Sequence, residues 1–328
     1  MKTLHTALAA VLVLGLAAAA RGQDAGAFER AYRRGDWAGA AQAAERWAER
    51  APDDSTAAYN AACAHALAGD AAAALEWLRR AGAAGFAGVR SIEEDPDLSS
   101  VRADDGFEEA TAAIRANRAE MFAEFKAEAE SSEILTILPP GKAEGPRPLI
   151  VVLHGYGGQP WRNAELYRKV AAKRGAIIAA PSGLRPAREG EGFSWTFRDE
   201  AEWWVLRAID RVVARHSVDP ERVILAGISQ GANLALTVGL EYPRRFAGLL
   251  AVAGHYEAHL MPVPESGGPR VYLLIGDQDP FVDTFRQAAP VFADGGLDVH
   301  LRVISGLGHA YPRRATAELG RALEFLLP

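Results

Sequence analysis

Cysteine is almost absent. Cys63 is the only one in 328 residues, so no intramolecular disulfide can form and stability has to come from packing. A basic excess is missing too: 36 Lys and Arg stand against 42 Asp and Glu, a formal net charge of −6, which gives the chain no electrostatic pull on nucleic acid. No glycine pattern of the phosphate-cradling kind occurs. A metal set is also lacking, because His255 and His259, at i, i+4 spacing, have no third ligand and read as polar loop residues. The chain is expected to need neither metal nor cofactor.

At the amino terminus Lys2 precedes an apolar stretch over 7–20, followed by small residues. The pattern is that of a secretory signal, expected over 1–22, and the stretch is short for a membrane span of about 20 apolar residues. No lipid-attachment cysteine follows it. The expectation is a secreted or periplasmic protein with no stable membrane span once the signal is removed.

A length of 328 residues is enough for two cores. From 24 to 118 the chain is rich in Ala, Glu and Arg with apolar residues at helical spacing, and no strand is expected. Gly35-Asp36 recurs as Gly69-Asp70, an offset of 34 residues, with Ala40 over Ala74 and Pro52 after the second helical stretch. This segment resembles the tetratricopeptide repeat, which implies stacked helical hairpins and a protein partner. Phe86 replaces the proline in the second copy, and Phe107 and Ile114 are placed to cover the last hairpin. Residues 119–130 suit a connecting helix.

After 131 the texture changes. Apolar strand-like runs at 149–153, 176–180, 222–228, 248–253, 271–275 and 299–304 alternate with helical stretches, notably 200–216, 233–241 and 315–327. That alternation predicts an α/β domain with a mainly parallel sheet covered on both faces.

In such a domain reactive groups collect in loops at the carboxyl ends of strands. Gly227-Ile228-Ser229-Gln230-Gly231 lies at one of them and matches G-x-S-x-G, the turn that thrusts a serine out between a strand and a helix. A serine hydroxyl needs a general base that is itself oriented by a carboxylate. The chain order Ser, acid, His leaves His300 and His309. His300 lies inside a strand-like run, whereas His309 lies in a loop with Gly306 and Gly308 just past one, so His309 is the candidate base. For the acid, Asp277, Asp279 and Asp283 compete. His154 precedes the serine and reads as a residue fixing its loop.

Residues 131–328 resemble the phospholipase/carboxylesterase group of α/β-hydrolases, in which a loop G-x-x-D-P-x-V carries the acid; Gly276, Asp279, Pro280 and Val282 match it. The resemblance implies Asp279 as the acid, with Asp277 supporting the loop. It also covers the segment LHGYGG at 153–158 and implies an oxyanion hole from the backbone N–H groups of Tyr156 and Gln230. Ala232-Asn233 departs from the glycine or small residues that relatives carry there. Trp195 and Phe197 could line an acyl or aryl pocket, while Trp203 and Trp204 are expected to pack the following helix. No insertion long enough for a lid separates Ser229 from His309. The implied reaction is hydrolysis of a small-molecule or polymer-linked carboxylic ester. The residues leave open a serine peptidase with the same triad, or a helical-repeat interaction protein with a vestigial hydrolase domain.

Overall fold

The computed structural model describes residues 23–142, 144–187, 190, 192–255, 263 and 267–327. The expected signal segment, 1–22, and His259 lie outside the described residues. Among the described residues no helix is long and apolar enough to cross a membrane. The chain divides between Glu124 and Phe125 into two compact units.

The first unit is helical. Helices α1 (Gln23–Arg33) and α2 (Trp37–Arg50) form one antiparallel hairpin, α3 (Ser55–Ala68) and α4 (Ala71–Ala83) a second. The 34-residue offset falls on their turns. Gly35 and Gly69 take the left-handed conformation, φ 70° and 85°, which costs a residue without Cβ nothing. Asp36 and Asp70 then cap the next helices, accepting from Gly39 N and Ala73 N at 3.0 Å each. The helices approach closely because the facing residues are alanines: Ala40, Ala44, Ala57, Ala61 and Ala74 are all fully buried. A short helix, α5 (Val89–Glu94), and a 3-10 turn (Pro96–Leu98) follow. Phe86 stacks on Tyr59 at 4.4 Å. Phe107 and Ile114 are buried in the same cluster.

Helix α6 runs unbroken over Phe107–Ser131. The stretch expected as a separate connecting helix is its second half, because no glycine or proline interrupts it.

The second unit holds a seven-stranded sheet in the order β1 (Leu135–Ile137), β3 (Ile177–Ala180), β2 (Arg147–Leu153), β6 (Val218–Ile228), β7 (Gly248–Val252), β8 (Arg270–Gly276), β9 (Val299–Ile304). Every pairing is parallel except β1 with β3. The two-residue strands β4 (Arg185–Pro186) and β5 (Phe193–Ser194) form a small separate hairpin. Helices α7 (Pro160–Lys173) and α11 (Ala315–Leu326) cover one face, in one cluster with Ile150, Val152, Ile224, Leu250 and Leu274. Helix α8 (Arg198–Val213), α9 (Gln230–Glu241) and α10 (Val282–Asp294) complete the domain, α9 against β6 and β7 and α10 against β8 and β9. With cover on both sides, β7 is buried throughout and β2 and β8 are buried after their first residue, Arg147 and Arg270, rather than alternating. His300 is indeed a sheet side chain, stacked on Tyr272 at 4.8 Å.

The end of α6 belongs physically to this second unit. Phe125 is buried, its ring 6.5 Å from that of Trp203. Arg211 donates to the carbonyls of Ala129 and Ser132 at 2.7 and 2.8 Å, and Arg207 pairs with Glu130. A fragment beginning at Phe125 is therefore expected to melt roughly 5–10 °C above one beginning at Ser132, since the longer one keeps a buried aromatic and a charge-assisted bond. Equal melting temperatures in calorimetry would make the helix end dispensable.

Candidate active site

Strand β6 ends at Ile228 and α9 begins at Gln230, so one residue makes the whole turn. That residue is Ser229, at φ 55° and ψ −121°. Ser229 and Ala253 are the non-glycine residues with positive φ among those described, a conformation that costs about 1–3 kcal/mol each. The sharpness of the turn requires two glycines. A Cβ on Gly227 would fall on the carbonyl of Gly231, and one on Gly231 would stand 2.5 Å from the carbonyl oxygens of Leu153 and His154. The result lifts the serine side chain clear of the sheet, at the positive end of the α9 backbone dipole.

The structure brings Ser229, His309 and Asp279 together from three strand ends. His309 Nε2 lies 2.9 Å from Ser229 Oγ, and His309 Nδ1 lies 2.9 Å from Asp279 Oδ2. The carboxylate can only accept, so Nδ1 carries the proton and Nε2 is free to accept from the hydroxyl. Asp279 is fully buried, and its other oxygen accepts from Phe281 N at 2.9 Å. Asp277 acts on the backbone instead. Its Oδ1 accepts from Gly306 N at 2.8 Å, tying the β8 loop to the loop that carries His309. Asp283 lies on α10 and pairs with Arg286.

The loop after β2 presses against the elbow. A Cβ on Gly155 would lie 3.2 Å from that of Ser229, so Tyr156 is the next residue beyond the contact. His154 is buried beneath. Its Nε2 accepts from Gly183 N at 2.8 Å, leaving Nδ1 to donate to the Gly155 carbonyl at 2.8 Å. Both ring nitrogens are thus used by a neutral imidazole, and burial holds its pKa below the ordinary value.

Two side chains have roles that sequence reasoning missed. The amide of Gln230 brackets the backbone of Trp195, accepting from its N–H at 3.0 Å and donating to its carbonyl at 3.2 Å. The indole of Trp195 then donates to the His154 carbonyl at 2.9 Å, so this buried residue braces the loop. Trp204 packs at the core as expected, its indole donating to Ser182 O at 2.8 Å. Phe197 is partly buried, with the guanidinium of Arg185 5.8 Å over its ring. Asn233 bonds His255 twice, accepting from its backbone N–H at 2.8 Å and donating to ring Nδ1. The His255 ring lies 5.3 Å from that of Phe281, which lies 5.8 Å from that of His309.

Two family models match the chain: Esterase PHB depolymerase over residues 133–261 and Phospholipase/Carboxylesterase over 205–326. The NocK protein of Nocardia uniformis subsp. tsuyamanensis, an esterase by provisional name, is 33% identical over 151 residues, 43% of this chain and 42% of that one. Poly(3-hydroxyalkanoate) depolymerase C of Paucimonas lemoignei is 38% identical over 50 residues, 15% of this chain and 12% of that one. The chain thus spans less than half the length of these two curated relatives. Among solved structures, esterase PE8 superimposes with a TM-score of 0.51 at 22% identity, covering 60% of this chain and all of that one. The fold of the second unit is that of the α/β-hydrolases.

The state of His154 makes stability depend on pH. Above about pH 6.5 the imidazole is neutral in folded and unfolded chains alike; below it the unfolded chain binds a proton that the folded one refuses. Its contribution is therefore fully present above that value and is lost as pH falls towards the depressed folded pKa, by at most about 1.4 kcal/mol per pH unit. In His154→Gln the melting temperature at pH 7 should fall, and its dependence on pH between 7 and 5 should flatten relative to wild type. An unchanged slope would mean that His154 is not held neutral.

Proposed function

We propose that the second unit, an α/β-hydrolase related to esterases, hydrolyses carboxylic esters through an acyl-serine intermediate. The observation that carries this reading is the run of two 2.9 Å contacts from Ser229 Oγ through the His309 imidazole to the buried Asp279 carboxylate. A hydroxyl bonded to the free nitrogen of an oriented imidazole can lose its proton as it attacks.

In this mechanism Ser229 Oγ bonds to the ester carbonyl carbon while its proton passes to His309 Nε2. Asp279, accepting from Nδ1, stabilises the imidazolium and keeps its orientation. The carbonyl oxygen becomes an oxyanion received by the backbone N–H groups of Tyr156 and Gln230, a pairing favoured by the α9 amino terminus. The C–O bond to the alcohol breaks, and the departing oxygen takes the proton from Nε2. Water then attacks the acyl-serine, gives its proton to Nε2 and releases the acid, after which Oγ recovers the proton.

The pattern of residues 1–22 supports export, so the substrate is met outside the cytoplasm. The depolymerase relative and the paired hairpins of the first unit support a substrate that is either a small ester or one linked to a polymer, with the helical unit binding a protein partner or the bulky part of the substrate. No cofactor enters the scheme.

The test is kinetic. Ser229→Ala and His309→Ala should each lower kcat on p-nitrophenyl esters by roughly 10⁴–10⁶ and abolish labelling by a fluorophosphonate at Ser229, with melting temperatures near wild type. Asp279→Asn should cost about 10²–10⁴ in kcat. Asp277→Ala, which removes the tie to Gly306, should lower thermal stability more than turnover. Full activity in Ser229→Ala sinks the mechanism, and a larger loss of kcat at Asp277 than at Asp279 moves the acid.

A further inference from the structure

Resting on the esterase reading above, we propose that Phe281 selects the leaving alcohol. Its ring forms a rigid apolar wall beside His309, on which a flat, aromatic alcohol group is held while the ester bond breaks.

Phe281 is a large apolar side chain that keeps 38% of its surface exposed, yet it is held by backbone bonds and by ring contacts. Its backbone N–H donates to Asp279 Oδ1 at 2.9 Å, and its carbonyl accepts from Thr284 Oγ1 at 2.8 Å. The ring makes a T-shaped contact with the His309 imidazole, 5.8 Å away at 69°. It also lies 5.3 Å from the His255 ring, tilted at 36°. His255 is itself gripped through backbone and ring by Asn233, which stands one helical turn after Ser229 and bonds its carbonyl at 3.1 Å. The phenyl ring therefore contacts two imidazoles, that of His309 and that of His255, the second tied through Asn233 to Ser229, and keeps part of its surface open to a ligand. A solvent-facing aromatic held this firmly pays little ordering entropy when a ligand stacks on it.

Which half of the ester meets this ring follows from the proton path. His309 Nε2 takes its proton from Ser229 Oγ and gives it to the departing oxygen, so the alcohol leaves on the imidazole side of the carbonyl. A ring flanking His309 accordingly faces the alcohol, while the acyl group stays on the serine. The bond from Phe281 to Asp279 is made by the backbone N–H. Truncating the side chain removes the wall and leaves that bond in place.

The experiment uses the full chain and two ester series. In the first the acyl group is fixed as acetyl and the alcohol is phenol or 2-naphthol, of similar acidity and different aromatic area. In the second the alcohol is fixed as phenol and the acyl group is acetyl or hexanoyl. The readout is kcat/KM, which reports acylation, the step in which the alcohol is still present. Phe281→Ala is expected to lower the naphthyl-to-phenyl ratio roughly three- to tenfold and to leave the hexanoyl-to-acetyl ratio where it was. Phe281→Tyr should keep the wild-type alcohol ratio, and His255→Ala, which removes one of the ring's contacts, should shift it in the same direction by less. An alcohol ratio unchanged in folded Phe281→Ala, or a change in the acyl ratio instead, overturns the proposal. Equal cleavage by wild type and Ser229→Ala overturns the esterase reading itself, so the two failures are distinct.

Discussion

A strand and a helix can meet around one outward-thrust side chain only if nothing stands between them, and the second unit is built on that close approach. Gly227 and Gly231 leave the gap, Ser229 spans it with a positive φ, and the β2 loop presses in behind. The strain is held by a stair of backbone bonds. Ser229 N donates to Val252 O, Ala253 N to Leu274 O and Asp277 N to Ile304 O, each strand end closed by a carbonyl of its neighbour. The turns after β6, β7 and β8 therefore share one scaffold, and a shift at one is transmitted to the next.

Sheet order sets a second requirement. His309 follows β9, three places from β6, a separation of about 14 Å at roughly 4.8 Å per strand. Its loop has to lean back across β8 and β7 to reach the serine. Asp277 makes that lean possible by accepting from Gly306 N, and Gln278 N donates to Leu307 O at 3.0 Å, so the loop is fastened to the β8 turn it crosses. The two aspartates divide the work: the exposed one ties down the loop, and the buried one, with each oxygen occupied by an N–H donor, faces the imidazole. The imidazole remains partly exposed, its side chain at 37%, which suits the proposed transfer of protons through Nε2 between the serine, the leaving alcohol and water.

Legibility in the sequence followed the kind of interaction. Period-two and period-3.6 patterns are local, and the strands read from them appear within a few residues of their observed ends. Ser229 was readable because close approach forces glycines at fixed spacing, and His309 because chain order leaves few histidines. Three aspartates within seven residues could not be separated by residue type, since what distinguishes them is burial and partner, both set by a loop 30 residues away. Helix α10 was obscured by Pro290 inside it, and the β4–β5 hairpin is too short to leave a pattern. The brackets of Gln230 on Trp195 and of Asn233 on His255 join residues 35 and 22 apart through single amides. No periodicity announces such bonds.

The Gln230 bracket bears on the proposed oxyanion donors. Those two N–H groups come from different loops, and a tetrahedral oxygen needs both within hydrogen-bond reach. Sheet pairing aligns the loops only up to Leu153 opposite Gly227. Beyond it a closed circuit takes over: the Gln230 side chain grips the Trp195 backbone, the Trp195 indole binds the His154 carbonyl, and the His154 ring accepts from Gly183 and donates to Gly155. Each polar group in it is satisfied, and the imidazole is neutral, so the circuit is rigid without burying a charge. Gln230 thus contributes twice, its backbone as a proposed donor and its side chain as a link in the circuit that braces the loop of the other donor. The spacing of the pair is set by this network rather than by the sheet, which is why a histidine that stands too early in the chain to serve as the base is nevertheless buried at the heart of the site.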